Sequence, residues 1–120
     1  MKQKQIAMDF LNYAGFGKVR EAYDKFTSPD FIHHNQYFKG DRESLLKAME
    51  EAHQSSPNKL VDIKYSYEDG STVILHSHVA KEGMDIAVVH IFRFENDKIV
   101  ELWDLGQVID KKTPNENGLF

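Results

Sequence analysis

Ile6, Phe10 and Tyr13, flanked by Ala7, Leu11 and Ala14, recur at the spacing of one helical face, and the pattern stops at Gly15 and Gly17. A second helical stretch, from about Lys18 to Phe26, turns Val19, Tyr23 and Phe26 to one side. It ends before Ser28-Pro29, because the residue ahead of a proline is driven out of the helical region. These two stretches predict a helical hairpin. The segment from Phe31 to Asn35, FIHHN, is short and bounded by turn residues, so it reads as a brief extended segment or loop. A third helix opens at Gly40-Asp41 with Asp41 as its N-cap, buries Leu45, Met49 and Ala52, and closes at Ser55-Ser56-Pro57.

From there the helical period gives way to alternation. Strands are predicted at about Leu60 to Glu68, Thr72 to Lys81, Asp85 to Glu95 and Lys98 to Ile109, separated by Asp69-Gly70, Glu82-Gly83 and Asn96-Asp97. Such short connections make an antiparallel meander. Helices followed by strands indicate an α+β fold in which the helices cover one sheet face. The tail from Thr113 is polar until Leu119-Phe120 and is expected to fray. No repeat or linker interrupts residues 1–120, which read as one domain.

Alternation also sorts the candidate chemistry. Val88, His90, Phe92 and Phe94 share one face of the third strand, while Val89, Ile91 and Arg93 take the other. The last strand divides into Val100, Leu102 and Asp104 against Ile99, Glu101 and Trp103. A two-residue Asn96-Asp97 turn sets His90 opposite Trp103. A three-residue Glu95-Asn96-Asp97 loop sets His90 opposite Leu102 and Val88 opposite Asp104, and is preferred because it gathers the apolar residues without burying Glu101. His76 and His78 share a face of the second strand. If that face also carries His90 and Asp104, one cavity floor holds three imidazoles and a carboxylate.

Composition narrows the chemistry. Apolar residues make up 41% and charged residues 28%, as in an ordinary globular domain, and the net charge is −4. No Lys/Arg stripe serves phosphate contacts, which argues against nucleic acid. No apolar run suits a signal peptide or a membrane span, so a cytoplasmic protein is expected. Without cysteine, thiolate nucleophiles and Cys-ligated metals are excluded. Any chemistry falls to His, carboxylates, hydroxyls or a bound cofactor.

Three helices and a four-strand meander, FIHHN followed by Gly40, the HSH of the second strand and HIFRFENDKIVELWD near the end resemble the SnoaL-like (polyketide cyclase-like) branch of the NTF2-like superfamily. The resemblance spans nearly the whole chain. It implies an α+β cone, with three N-terminal helices packed on a curved, mainly antiparallel sheet around a pocket. That cone serves isomerases, dehydratases, epoxide hydrolases, cyclases and proteins without catalysis, so it identifies fold more closely than activity. His34 and Asn35 match a His-Asn segment common in the family, His90 stands where relatives often carry Asp, and Leu102 stands where they often carry His.

A proton-transfer site needs a base titrating near working pH, a polar group to orient it and a dry wall. The candidate acid–base residues are His90, Asp104 and His76. His34, Asn35, His78, Phe92 and Leu102 are candidates for binding a small apolar, carbonyl-bearing molecule, while His33 is expected at the surface. A lyase, isomerase or cyclase needing no cofactor is one reading, and a module that binds a hydrophobic ligand without turnover is the other. His76-x-His78 with His90 or Asp104 also has the makings of a metal site, yet the family seldom implies one, and no metal is assigned. Tyr13, Tyr23, Phe26, Phe31 and Trp103 suit either pocket wall or core. Val89, Ile91, Ile99 and Trp103, with Arg93 and Glu101 among them, are expected on the outer sheet face, where burial calls for a homodimer that the Leu119-Phe120 end can join.

Overall fold

In the computed structural model, which describes residues 2–120, the predicted hairpin forms as α1 (Lys2–Gly15) and α2 (Val19–Phe26). Ala7, Phe10, Leu11 and Ala14 of the expected stripe are buried. Gly17 turns the chain between the helices at φ +96°, and a Cβ there would lie 2.4 Å from the ring of His53. The turn therefore requires glycine for both backbone and space. Helix α3 (Arg42–Ser55) is capped as expected: the Asp41 carboxylate accepts the Ser44 N–H at 3.2 Å. Among the described residues, no helix is long and apolar enough to cross a membrane.

The stretch read as a brief extended segment or loop is largely a strand, β1 (Thr27–His33), and it enlarges the sheet. The predicted meander follows as β2 (Leu60–Asp69), β3 (Thr72–Lys81), β4 (Met84–Glu95) and β5 (Lys98–Val108). Strand order is β1-β5-β4-β3-β2, with β1 parallel to β5 and all other pairs antiparallel. The result is one mixed five-stranded sheet with the three helices packed against a single face.

The register between β4 and β5 departs from the expected three-residue loop. Asn96 and Asp97 form a two-residue turn, both with positive φ (51° and 62°), and Glu95 pairs with Lys98. Asn and Asp tolerate that conformation, which matches the twist of the flanking strands. A bulge then interrupts the ladder: Phe94 pairs with Ile99, but Arg93 pairs with Glu101. Beyond it His90 faces Asp104 and Phe92 faces Leu102, so the parity matches the expectation while each partner moves by two residues. The bulge also turns Ile99 inward. Ile99 is fully buried beside Phe94 rather than outward as expected.

The inner face buries Val73, Leu75, Phe92, Phe94, Ile99 and Leu102 against the helices. Phe10 meets Tyr23 and Phe92 edge-on, with centroids 5.3 and 6.0 Å apart, and Tyr23 meets Phe31 in the same way at 5.4 Å. Tyr23, Phe26 and Phe31 belong to the core and Tyr13 packs against it. The outer face carries two rows that cross four strands: Tyr67–Ile74–Ile91–Trp103 and Tyr65–His76–Val89–Leu105. His76 and His78 are thus on the face opposite His90, and the three-imidazole floor does not form. The more apolar set of β3 (Val73, Leu75, Val79) takes the core and leaves its histidines outside. The end of the tail reaches this face: the Phe120 ring lies 5.4 and 5.3 Å from the rings of His76 and His78, and Leu119 borders the hollow over His76, Val89 and Leu105.

Candidate functional site

Pairing of β4 with β5 sets His90 across from Asp104, with Nε2 and Oδ1 3.4 Å apart. Pairing of β1 with β5 delivers the third member. The His34 N–H donates to the Leu102 carbonyl at 2.9 Å, and just beyond the strand Asn35 donates from Nδ2 to Asp104 Oδ2 at 2.8 Å. Asn35 is itself held on two sides. Its Oδ1 accepts the Tyr37 N–H at 3.0 Å, and its own N–H donates to His33 Nδ1 at 3.0 Å. Because Nδ1 accepts, the His33 proton belongs on Nε2, which donates to the Lys39 carbonyl at 2.7 Å. His33 is accordingly buried, not the surface residue expected, because its ring closes this loop from within.

Asp104 stands where two spaces meet. An inner cavity of about 160 Å³ lies between the helices and the sheet, bordered by Leu11, Met49, Val61 and Val88 and by the polar His53, Asn58, Lys81, His90 and Asp104. A cleft of about 670 Å³ shares Val88 and Asp104 with it and is bordered by His34, Asn35 and Tyr37.

Burial pushes the His90 imidazole below its ordinary value of 6.5, and the Asp104 carboxylate opposes that shift only in part. His90 is therefore a neutral base at pH 7, and its Nδ1 is buried without a protein partner. The depressed pKa links folding to pH. Unfolded chains take up a proton at His90 as pH falls through about 6.5, and the folded protein resists until lower pH. Stability from this group is complete above that pH and is lost below it. Urea midpoints should fall between pH 7.5 and 5.5, and His90→Gln should lessen the fall; an identical fall in the variant would exclude His90 as a contributor. Carboxylates held low by partners, such as Glu101 beside His34 and Arg93, act below this window. Burial pushes the Tyr23 phenol well above its ordinary range and the charge of Asp104 adds to the effect, so this core hydroxyl stays protonated.

Of the residues expected at the site, His90, Asp104 and Asn35 come together. His34 lies on the outer face, stacked on Trp103 at 4.6 Å and bonded through Nε2 to Glu101 at 2.6 Å, and from there it borders the cleft. Arg93 donates to the same Glu101 at 2.7 Å, the cross-strand contact that alternation suggested. Phe92 and Leu102 are sealed in the core as a facing pair and do not border the cavity. His76 and His78 lie beyond the sheet, with His78 bonded to Asp85 at 2.8 Å, so neither His90 nor Asp104 can complete a metal set with them. Among the described residues no three His, Asp or Glu side chains are grouped to hold a metal.

Sequence reasoning missed His53, Asn58 and Lys81. His53 had a signal, because it follows Met49 by one helical turn and so sits on the apolar stripe of α3. Asn58 had none, since it reaches the cavity only through the path of the loop after Pro57.

Residues 12–102 match the model of the SnoaL-like domain. No curated protein matches the sequence. Among solved structures, the "putative polyketide cyclase" of Acidithiobacillus ferrooxidans superposes with a TM-score of 0.75 at 16% identity, covering 89% of this chain and 89% of the other. An NTF2-like protein of unknown function from Burkholderia xenovorans superposes with a TM-score of 0.74 at 15% identity, covering 96% and 88%. A third, TsrD from Streptomyces laurentii, gives 0.72 at 17% identity over 88% of each chain. At these identities the likeness is one of fold. With the family match spanning most of its length, the chain belongs to the SnoaL-like domain family.

Proposed function

We propose that this protein is an acid–base catalyst of the lyase, isomerase or cyclase type, moving protons on a small apolar molecule that carries a carbonyl. The observation that supports it best is a buried, neutral His90 with a partnerless Nδ1 beside a cavity, backed by an Asp104 that Asn35 holds in place. His90 Nδ1 takes the proton from the carbon next to the carbonyl, and the bonding pair moves onto the carbonyl oxygen. The imidazolium forms beside the Asp104 carboxylate, which stabilises it, and returns the proton to the same or another carbon. The exchange consumes no oxidant or reductant and needs no cofactor. The 3.4 Å approach of His90 to Asp104 is long for a hydrogen bond and should shorten with ligand bound, as catalytic contacts commonly do.

Proton NMR in D2O tests the reading with cyclohexanone, whose ring suits the cavity. The wild type should wash deuterium into the α-positions faster than buffer, and His90→Gln should return the rate close to buffer. Cyclohexanone that binds without exchange would favour the alternative reading, a module that holds a hydrophobic ligand unchanged.

We also propose that two copies associate through the outer sheet face, where Tyr65, Tyr67 and Leu105 are exposed beside the half-buried Ile74, Ile91 and Trp103.

A further inference from the structure

The cavity has a second polar end that proton transfer at His90 does not use. His53, in the last turn of α3, and Asn58, in the connection to β2, border it from the helix layer, whereas His90 and Asp104 border it from the sheet. Asn58 donates from Nδ2 to the Gly15 carbonyl at 2.7 Å, which orients the amide and leaves Oδ1 buried with no donor. His53 Nδ1 is also buried and unpartnered, its ring fixed against Gly17 where no side chain fits. Lys81 borders the same space, but its ammonium is directed to the Ser56 carbonyl. Buried polar atoms nearly always have partners, so two atoms without a protein partner, on residues that border one cavity, call for a group that bonds to both.

A hydroxyl answers both. Its hydrogen goes to Asn58 Oδ1, and its oxygen accepts from His53 Nδ1–H. A ketone or carboxylate oxygen has no hydrogen for Oδ1 and would leave it unpaired. Between the two ends the walls are apolar, formed by Leu11, Ala14, Met49 and Val61. The volume of about 160 Å³ is close to the roughly 150 Å³ of an apolar cavity that takes benzene. We propose that the ligand is a hydroxy-carbonyl compound the size of a single six-membered ring. Its hydroxyl lies between Asn58 and His53, and its carbonyl-bearing carbons lie toward His90 and Asp104. This assignment rests on the proton-transfer reading only for the position of the carbonyl.

Ligand-observed NMR titrations compare 4-hydroxycyclohexanone, 4-methoxycyclohexanone and cyclohexanone on the wild type and on His53→Phe. The hydroxy compound should bind about tenfold or more tighter than cyclohexanone, as expected where buried groups await a hydrogen-bonding partner. The methoxy compound, lacking the donor, should gain nothing, and on His53→Phe the hydroxy compound should bind no tighter than cyclohexanone measured on the same variant. Equal affinities on the wild type, or a methoxy compound binding as tightly as the hydroxy one, overturn the inference without any variant having to fold. If both ketones still exchange their α-protons, the reading of His90 stands without it. A hydroxyl preference lost in His53→Phe with no exchange anywhere keeps the hydroxyl end and removes the acid–base chemistry instead.

Discussion

Asp104→Asn is expected to lower α-proton exchange by about 10²–10⁴-fold, the usual contribution of a positioned general base and its partner. The amide has the shape of the carboxylate and the position is half-buried beside Asn35, so the fold should persist. What disappears is the negative charge that stabilises the His90 imidazolium as it forms. The same charge raises the pKa of His90 against burial. Its removal therefore moves the acidic limb of the pH–rate profile to lower pH while the plateau falls. A merely structural Asp104 would move neither. Equal exchange rates in wild type and variant, with both proteins folded by circular dichroism, would remove Asp104 from the mechanism.

Light scattering at micromolar concentration is expected to give about twice the chain mass, and Ile91→Glu should return it to one. Ile91 lies between Ile74 and Trp103 in the outer row, and Tyr67 at the end of that row is 56% exposed. Contiguous apolar faces of more than a few hundred Å² seldom stay open in monomers. The tail covers the neighbouring row only in part: Phe120 lies against His76, while Tyr65 and Leu105 remain exposed. Arg93 and Glu101 lie on the same face, bonded to each other, and can set the two-fold geometry by charge. Glutamate at 91 would lose solvation in such an interface without an opposite partner. A wild type that remains monomeric would overturn this proposal and mean that the tail is cover enough.

Much of the fold was legible because its causes are local. The helical stripes of α1 and α2, the Asp41 cap and the alternation in β3 to β5 depend on residues a few positions apart. The common face of His90, Leu102 and Asp104 was legible as well, but by a compensation. A two-residue turn followed by one bulge has the same parity as the three-residue loop inferred from the sequence. Hence the face was read correctly and each pairing was displaced by two residues.

Other features had no local cause. Phe31 to His33 of FIHHN join a strand because their partners, Glu101 and Leu102, arrive from the far end of the chain. That one pairing buries His33 and brings Asn35 to Asp104. Alternation says which residues of a strand share a face, but which face is inside is decided by where the helices pack. His76 and His78 were misassigned for that reason, although the apolar Val73, Leu75 and Val79 between and around them pointed the other way. His53 and Asn58 met His90 only through the packing of α3 against the α1–α2 turn, where Gly17 makes room. The sequence by itself determined the elements, their order and the parity of each strand, because hydrophobic periodicity and turn chemistry act over a few residues. Only the tertiary structure decided which parity faced the helices and which distant side chains met there, because both depend on contacts that span the whole chain.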